Sequence, residues 1–426
     1  MRRLRLTTLL EQVIPPAILT YLALSFRRAL GTIGYAYLCV DQRRPWSSAV
    51  YCAAVAAAFP ALVGTFLRLY LLPSRQSVPP PRAPGDLATL RTLFECVPPR
   101  RALREGYTLV PRAAGHEEAA EALIASCHKG RCGGRWKPAR ARHCSECGVC
   151  RCAFDHHCAF LANCITGPYL PAFLALLFGS PVVVLTSLIP AYGTLLARVP
   201  AAWANSAIDA RAARFWAWRP GWVVAGGPVG RVIVGLFLGW RGLDQADGGG
   251  PGGVASWEIG ALSLIGHLLA LLTTALGYST LRHVLSGELT IDVERAKSLA
   301  KLRSDIAAKR ARGEEPGEDL IADAARFANS HWFFVPLEGS DEWAGAVLPA
   351  LEGERPYDLG AWGNFEQLIS RGKGISWLAP WNVLRVSVPD SELWNWPVAP
   401  AVRARLIADA ESIAADDETT LLSHSH

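Results

Sequence analysis

The sequence predicts an all-α polytopic membrane protein, with four transmembrane helices and a cytosolic Cys-rich domain between the second and the third. Three observations predict it. Apolar residues make up 51% of the 426, and they gather into runs rich in Ala, Leu, Val and Gly instead of spreading evenly, as one large soluble core would require. A long polar section with fourteen Lys and Arg, Pro73 to Pro171, separates the second run from the third. Eight of the eleven cysteines crowd into that section, between Cys127 and Cys164.

Each apolar run is matched against the roughly 20 residues needed to cross hydrocarbon. The first, Val13 to Val40, is interrupted by Arg27 and Arg28. Two arginines at mid-bilayer must snorkel, face other helices, or mark the end of a shorter span. The start "MRRLRLTTLLEQVIPP" has a basic n-region but no small-residue cleavage site, so it reads as the approach to a span and not as a cleavable signal. Ser48 to Leu72 is a clean span. Ala172 to Leu196 carries Pro181 and Pro190, which spans tolerate where neighbours re-satisfy the backbone. Ile259 to Leu281 contains His267, expected to make an interhelical hydrogen bond. Between the last two, "VIVGLFLGW" (Val232 to Trp240) is too short to cross and reads as an interfacial segment, and "DGGGPGG" reads as a flexible linker. The division is therefore 1–72 (N-terminal segment and two spans), 73–171 (Cys-rich loop, core 127–173), 172–281 (two spans and a lumenal loop) and 282–426 (C-terminal region). That region opens with a helix near Asp292 to Arg312. It continues into a Trp-rich part (Trp377, Trp381, Trp394, Trp396) that packs the tail on itself or anchors it at the interface. Four spans leave both termini on the side of the basic loop, which the positive-inside tendency makes the cytosol. A net charge of +6 is read as topology and a solvated surface, not as a nucleic-acid footprint.

The stretch "RHCSECGVCRCAFDHHCAFLANC" (Arg142 to Cys164) carries the chemistry. An odd number of cysteines packed beside histidines argues against a secreted disulfide framework and for metal in a reducing compartment. Zinc takes four Cys or His ligands from short chelating turns. The segment offers Cys127, Cys132, His143, Cys144, Cys147, Cys150, Cys152, His156, His157, Cys158 and Cys164, enough for two ions with three groups over. Within Asp155-His156-His157-Cys158 a carboxylate, an imidazole and a thiol lie together, the set that activates a nucleophilic sulfur. On the residues alone, the plainer alternative is that His156 and Cys158 are further ligands.

These residues resemble the DHHC palmitoyltransferases, membrane protein S-acyltransferases. The family's Cys-rich domain ends in Asp-His-His-Cys, here Asp155 to Cys158. A Cys and an aromatic follow, here Cys164 and Phe173, and Lys-Pro-x-Arg precedes, here Lys137, Pro138 and Arg140. Weaker similarities are Leu289-Thr290-Ile291-Asp292 to the family's "TTxE" and "PYDLGAWGNFEQLI" (Pro356 to Ile369), with Asn364, to its C-terminal motif. The resemblance implies four helices around a cavity for an acyl chain, and a zinc domain on the cytosolic face. It implies a nucleophile, Cys158, that takes a palmitoyl or similar chain from acyl-CoA and passes it to protein cysteines, with His156 as base and Asp155 orienting it. Two zinc ions are implied, one on Cys127, Cys132, His143 and Cys150, the other on Cys144, Cys147, His157 and Cys164. Cys152 stays a spare thiol. Lys137, Arg140 and Arg142 become candidate contacts for the CoA phosphates. The implied partners are the bilayer and Cys-containing protein substrates, with no nucleic acid, in an endomembrane (ER, Golgi or vacuole) or the plasma membrane.

The sequence departs from the family at Cys132 (C-x4-C in place of C-x2-C), at Ala159-Phe160 (in place of Pro-Trp), at Tyr169, and at Leu289 and Asp292. Two other readings stand beside it: a membrane-bound RING-like ubiquitin ligase, which would need a terminal C-x2-C pair that does not follow Cys164, and an inactive scaffold descended from acyltransferases.

Overall fold

The structure, a computed structural model, describes residues 6–71, 93–112, 123–218, 220, 227–321, 324, 331–338, 340, 343–370 and 396–424. Trp377, Trp381 and Trp394 lie outside the described residues. The chain enters each of two compact units twice: residues 1–70 and 174–278 form one, 71–173 and 279–426 the other.

The first unit is helical. α1 (Leu6–Arg28) runs on as a π-helix (Ala29–Asp41), and α2 spans Pro45–Leu71. α3 (Leu170–Leu188) is followed by a 3-10 turn at Ile189–Ala191 containing Pro190, then by α4 (Tyr192–Ile208) and α5 (Ala210–Ala217). α6 (Gly227–Asp247) and α7 (Trp257–Leu285) complete it, the last turns of α7 from Ser279 onward belonging to the second unit. Among the described residues, four stretches are long and apolar enough to cross a membrane: Leu10–Asp41, Pro45–Leu71, Gly167–Ile208 and Pro251–Leu285. Arg28, the doubtful residue of the first, forms an ion pair with Glu258 at the start of α7. His267 makes the interhelical hydrogen bond, to the Tyr192 hydroxyl, while its Nδ1–H donates to the Ser263 carbonyl at 2.7 Å. The glycine run 248–253 is not a linker. Gly248, Gly249 and Gly250 all have positive φ, between 67 and 84°. Together with Asp247, which accepts the Gly249 N–H at 3.1 Å, they form a hydrogen-bonded turn into α7.

The second unit corrects the all-α expectation, because it is built on strands. β1 (Phe94–Cys96) and β2 (Thr108–Pro111) precede three short hairpins: β3 (Ser126–Cys127) with β4 (Arg135–Trp136), β5 (Arg142–Cys144) with β6 (Val149–Arg151), and β7 (Phe154–Cys158) with β8 (Asn163–Thr166). After α8 (Thr290–Ala311) come β9 (Trp332–Pro336), β10 (Trp343–Pro349), α9 (Gly360–Phe365) and α10 (Pro400–His424). The long strands join β1 and β2 in an antiparallel sheet of order β1-β9-β10-β2. Alternation decides its packing. Phe333 and Val335 face one core with Leu348, Leu406 and Ala410 of α10. Trp332 and Phe334 face another with Cys96, Val110 and Val347. Apolar residues on both faces make these strands read as short apolar runs with no polar alternation to expose them in the sequence.

Candidate active site

Each of the small hairpins pairs two metal-binding residue types across its strands or within its turn. In β5–β6 His143 stands opposite Cys150, and in β7–β8 His157 stands opposite Cys164. Cys132 lies in the β3–β4 turn and Cys147 in the β5–β6 turn. The Cys147 N–H donates to the Cys144 sulfur at 3.4 Å, and the Cys150 N–H to the Cys132 sulfur at 3.2 Å. His143 and Cys144 are adjacent on β5 and point to opposite faces, as strand residues must. One therefore serves a cluster with Cys127, Cys132 and Cys150, and the other a cluster with Cys147, His157 and Cys164.

The geometry of both clusters fits zinc. Zn–S of about 2.3 Å and Zn–N of about 2.0–2.1 Å at tetrahedral angles require S···N separations of roughly 3.5 Å. His143 Nδ1 lies 3.6 Å from the Cys127 sulfur and 3.4 Å from that of Cys132. His157 Nδ1 lies 3.5, 3.6 and 3.5 Å from the sulfurs of Cys144, Cys147 and Cys164. All the cysteines involved are free of disulfides. Two metal ions can be held, by four ligand atoms each, with the ligand atoms of each set within 4.8 Å of one another. Cys152, fully buried, is in neither set.

The next face of β7 does something else. His156 and His157 diverge, so His156 turns away from the metal set and shares its face with Cys158, two residues on. A bulge between Phe154 and His156, where Phe154 pairs with Thr166 and His156 with Ile165, leaves Asp155 unpaired and re-aims its carboxylate. Asp155 Oδ2 accepts from His156 Nδ1–H at 2.7 Å, and Oδ1 accepts the Thr290 backbone N–H at 2.7 Å. Because Thr290 opens α8, a buried carboxylate caps a helix N-terminus, where negative charge is favoured. Burial works to raise the Asp155 carboxyl pKa, but the hydrogen bonds from His156 and Thr290 outweigh it and hold it below its ordinary value. Burial likewise works to lower His156; its hydrogen bonds with Asp155 and the Cys158 thiol prevail and push it up to about 9. With Nδ1–H committed to Asp155, Nε2 is left to face Cys158. The Phe173 ring packs edge-on against the imidazole, centroids 5.4 Å apart.

The three basic residues expected at the CoA phosphates separate. Arg142 is exposed on β5 and Lys137 partly so. Arg140 is corrected: its side chain is only 3% exposed. It pairs with Asp292 at 2.9 Å, donates to the Gly287 carbonyl, and is sandwiched between the Tyr357 and Trp396 rings at 4.5 and 4.7 Å. Tyr357 in turn donates to Glu95, which also pairs with His331 at 3.1 Å. Asp292 accepts the Leu289 N–H at 3.0 Å, so Arg140 braces the same helix terminus that donates to Asp155. Sequence reading missed this bracing, whose partners come from three distant segments, residues 287–292, Tyr357 and Trp396. Phe160 is exposed and Ala159 half-buried beside Cys158, while Tyr169 is buried. Asn364, 1% exposed, donates to the Leu285 carbonyl at 3.0 Å and to Asp358 at 2.7 Å, and accepts the Leu359 N–H at 2.9 Å.

Apolar helices of membrane-spanning length, two groups of four Cys and His side chains able to hold metal, and a carboxylate hydrogen-bonded to an imidazole two residues from a thiol define a class: a helical protein fit to span a membrane, with two candidate metal centres. Comparison with known proteins narrows it. Residues 127–238 match the family model described as DHHC palmitoyltransferase. Similar proteins include the palmitoyltransferase ERF2 of Eremothecium gossypii, 51% identical over 45 residues (11% of this chain, 12% of that one). The probable protein S-acyltransferase 13 of Arabidopsis thaliana is 39% identical over 61 residues (14% and 20%). The palmitoyltransferase ZDHHC4 of Bos taurus is 50% identical over 42 residues (10% and 12%). These matches span between 12% and 20% of the relatives' own length.

Proposed function

We propose that the protein is a protein S-acyltransferase, moving a palmitoyl or similar long chain from acyl-CoA to protein cysteines through an acyl-Cys158 intermediate. The observation that carries this reading is the Asp155–His156–Cys158 arrangement, with Asp155 Oδ2 2.7 Å from His156 Nδ1 and the thiol hydrogen-bonded to the same imidazole. In the first half-reaction the Cys158 thiol gives its proton to His156 Nε2, its sulfur attacks the thioester carbonyl, and the carbon–sulfur bond to CoA breaks. The CoA thiolate leaves with the proton from the imidazolium. In the second half a substrate cysteine gives its proton to His156 and attacks acyl-Cys158, and the returning proton restores the Cys158 thiol. One thioester replaces another, so the step is close to balanced and the enzyme contributes chiefly positioning and thiolate activation. Asp155 holds the tautomer and orientation of His156 throughout.

Zinc on the two clusters would supply no step of this chemistry; Cys127, Cys132, His143 and Cys150, and Cys144, Cys147, His157 and Cys164, would hold it and fix the loops around Cys158. Exposed Arg142 and half-exposed Lys137 remain the candidate phosphate contacts. The acyl donor carries about 0.8 kcal/mol of burial per CH2, which keeps it at a membrane, and we place the Cys-rich loop and both termini on the cytosolic side of an endomembrane or the plasma membrane. Purified full-length protein given an alkyne-tagged palmitoyl-CoA analogue should acquire a hydroxylamine-sensitive label that Cys158→Ser abolishes. An unlabelled wild type with two zinc ions bound would overturn the reading in favour of a non-catalytic scaffold.

A further inference from the structure

The third apolar stretch is too long for one crossing. Gly167–Ile208 covers 42 residues, about 60 Å as helix, against roughly 30 Å of hydrocarbon. The 3-10 turn at Ile189–Ala191 ends the part that a crossing needs, and α4 is surplus. It is not a water-facing surplus: its exposed positions, from Gly193 to Ile208, carry only Gly, Ala, Leu, Val, Pro, Trp and Ile. Its polar side chains turn inward. Thr194 meets the Tyr37 hydroxyl at 3.4 Å, and Asn205 Nδ2 donates to the Gly239 carbonyl at 2.7 Å. Arg198 pairs with Asp244 at 3.4 Å and with Asp247.

α4 pairs with α6 in the manner of membrane helices. A Cβ on Gly239 would stand 2.2 Å from the Ala202 carbonyl oxygen and 2.7 Å from the Ser206 nitrogen, and one on Gly235 would overlap Trp216. Gly239 against Ala202 and Ser206 thus lets the backbones of α6 and α4 touch, Gly235 makes room for Trp216 of α5, and the Asn205 side chain bonds across to the Gly239 carbonyl. A second, independent observation fixes the level of this hairpin. Tyr192, the first residue of α4, bonds His267, ten residues into α7 and so about 15 Å along it. Trp240 of α6 lies against Gly260, and Ala202 shares a core with Ile259 and Ile33. The root of the hairpin is level with the first turns of α7, not beyond them.

We infer that the α4–α6 hairpin is seated in the outer layer of the bilayer, where it binds phospholipid. Acyl chains would cover Leu196, Val199, Trp203, Val229 and Val232, and the exposed Arg211 and Arg214 of α5 would face headgroup phosphates. The inference rests on α7 being a membrane span; it adds a fifth membrane element that enters and leaves on one side and so leaves the topology of the termini unchanged. The test places p-benzoylphenylalanine singly at Trp203, Val229 or, as reference, the exposed Leu271 of α7, in full-length protein in phosphatidylcholine nanodiscs. Irradiation should raise the intact mass by one phosphatidylcholine at Trp203 and Val229, in yields comparable to Leu271. An adduct at Leu271 with none at the hairpin overturns the inference, as does a covalent dimer, which would assign the face to a second copy. No adduct at any position overturns it together with the membrane reading of α7. Labelling of Cys158 in the same samples reports the acyltransferase reading separately.

Discussion

A carboxylate as buried as Asp155, 4% exposed, persists in ionised form only when its oxygens are hydrogen-bonded. Each of them is, one by His156 and one by the first N–H of α8. Asp155→Asn keeps the shape but can present its amide nitrogen to His156, turning Nδ1 into an acceptor and Nε2–H towards the sulfur. Acyl-Cys158 formation should fall on the order of 10²–10⁴-fold, read as initial rate of label incorporation, while zinc content stays at two. A pH effect belongs to the same residue. His156 is raised from 6.5 to about 9 by Asp155 and Cys158, so its pairing contributes stability that is fully present below about 6.5 and is lost as pH rises through about 9. The thermal midpoint of wild type should therefore drop between pH 6.5 and 9.5 by more than that of His156→Gln; equal drops would mean the imidazole is not paired as described. The closeness of Asp155, His156 and Cys158 was legible in the sequence because four consecutive residues carry them. Arg140 was misread because its motif position says nothing of which way the guanidinium turns. Only folding brings Asp292, Tyr357 and Trp396 around it.

At the scale of elements, the site depends on pieces that the sequence disclosed unevenly. The metal hairpins are local, each closing within a few residues, and their ligand spacing announces them. The β1-β9-β10-β2 sheet joins residues 94–111 to residues 332–349, and no short-range pattern records such a pairing. For that reason β9 and β10 were read as part of a helical and Trp-rich tail, and β1 and β2 as part of the polar loop. The motif around Asn364 lies between these extremes: its position was visible, but its work was not. Asn364 closes the part-buried carbonyl of Leu285 at the end of α7 and fixes Leu359 ahead of α9. Asn364→Ala leaves these part-buried groups without their partner, at up to about 1–3 kcal/mol, and should lower the thermal midpoint of the purified protein. Asn364→Asp keeps the acceptor for Leu359 but loses the donor, so it should recover only part of the difference. Full recovery by Asp would show that the Leu285 contact contributes nothing.

The whole molecule is two units, each assembled from two separated lengths of chain, and the two candidate metal clusters lie within one short stretch of the second, residues 127–164. They are not independent of each other. β5 supplies His143 to one set and Cys144 to the other, while the β5–β6 hairpin sends Cys150 and Cys147 the same two ways. Loss of one ion frees the strand that presents a ligand to the other, and because ligand binding supplies folding free energy in small metal domains, the two should be lost together. Cys127→Ser and Cys164→Ser, one from each set, should each reduce zinc from two per chain to well below one by elemental analysis, whereas Cys39→Ser, outside both sets, should keep two. A drop from two to one in either mutant would show that the sets fold separately. The coupling also predicts how chelation acts on chemistry. Cys158 ends β7, one residue beyond the candidate ligand His157 and opposite Asn163, so removing an ion held by either set should loosen the strand that aligns the sulfur with His156. Labelling of Cys158 should then fall in proportion to zinc remaining, with no fraction of one-zinc protein retaining full activity.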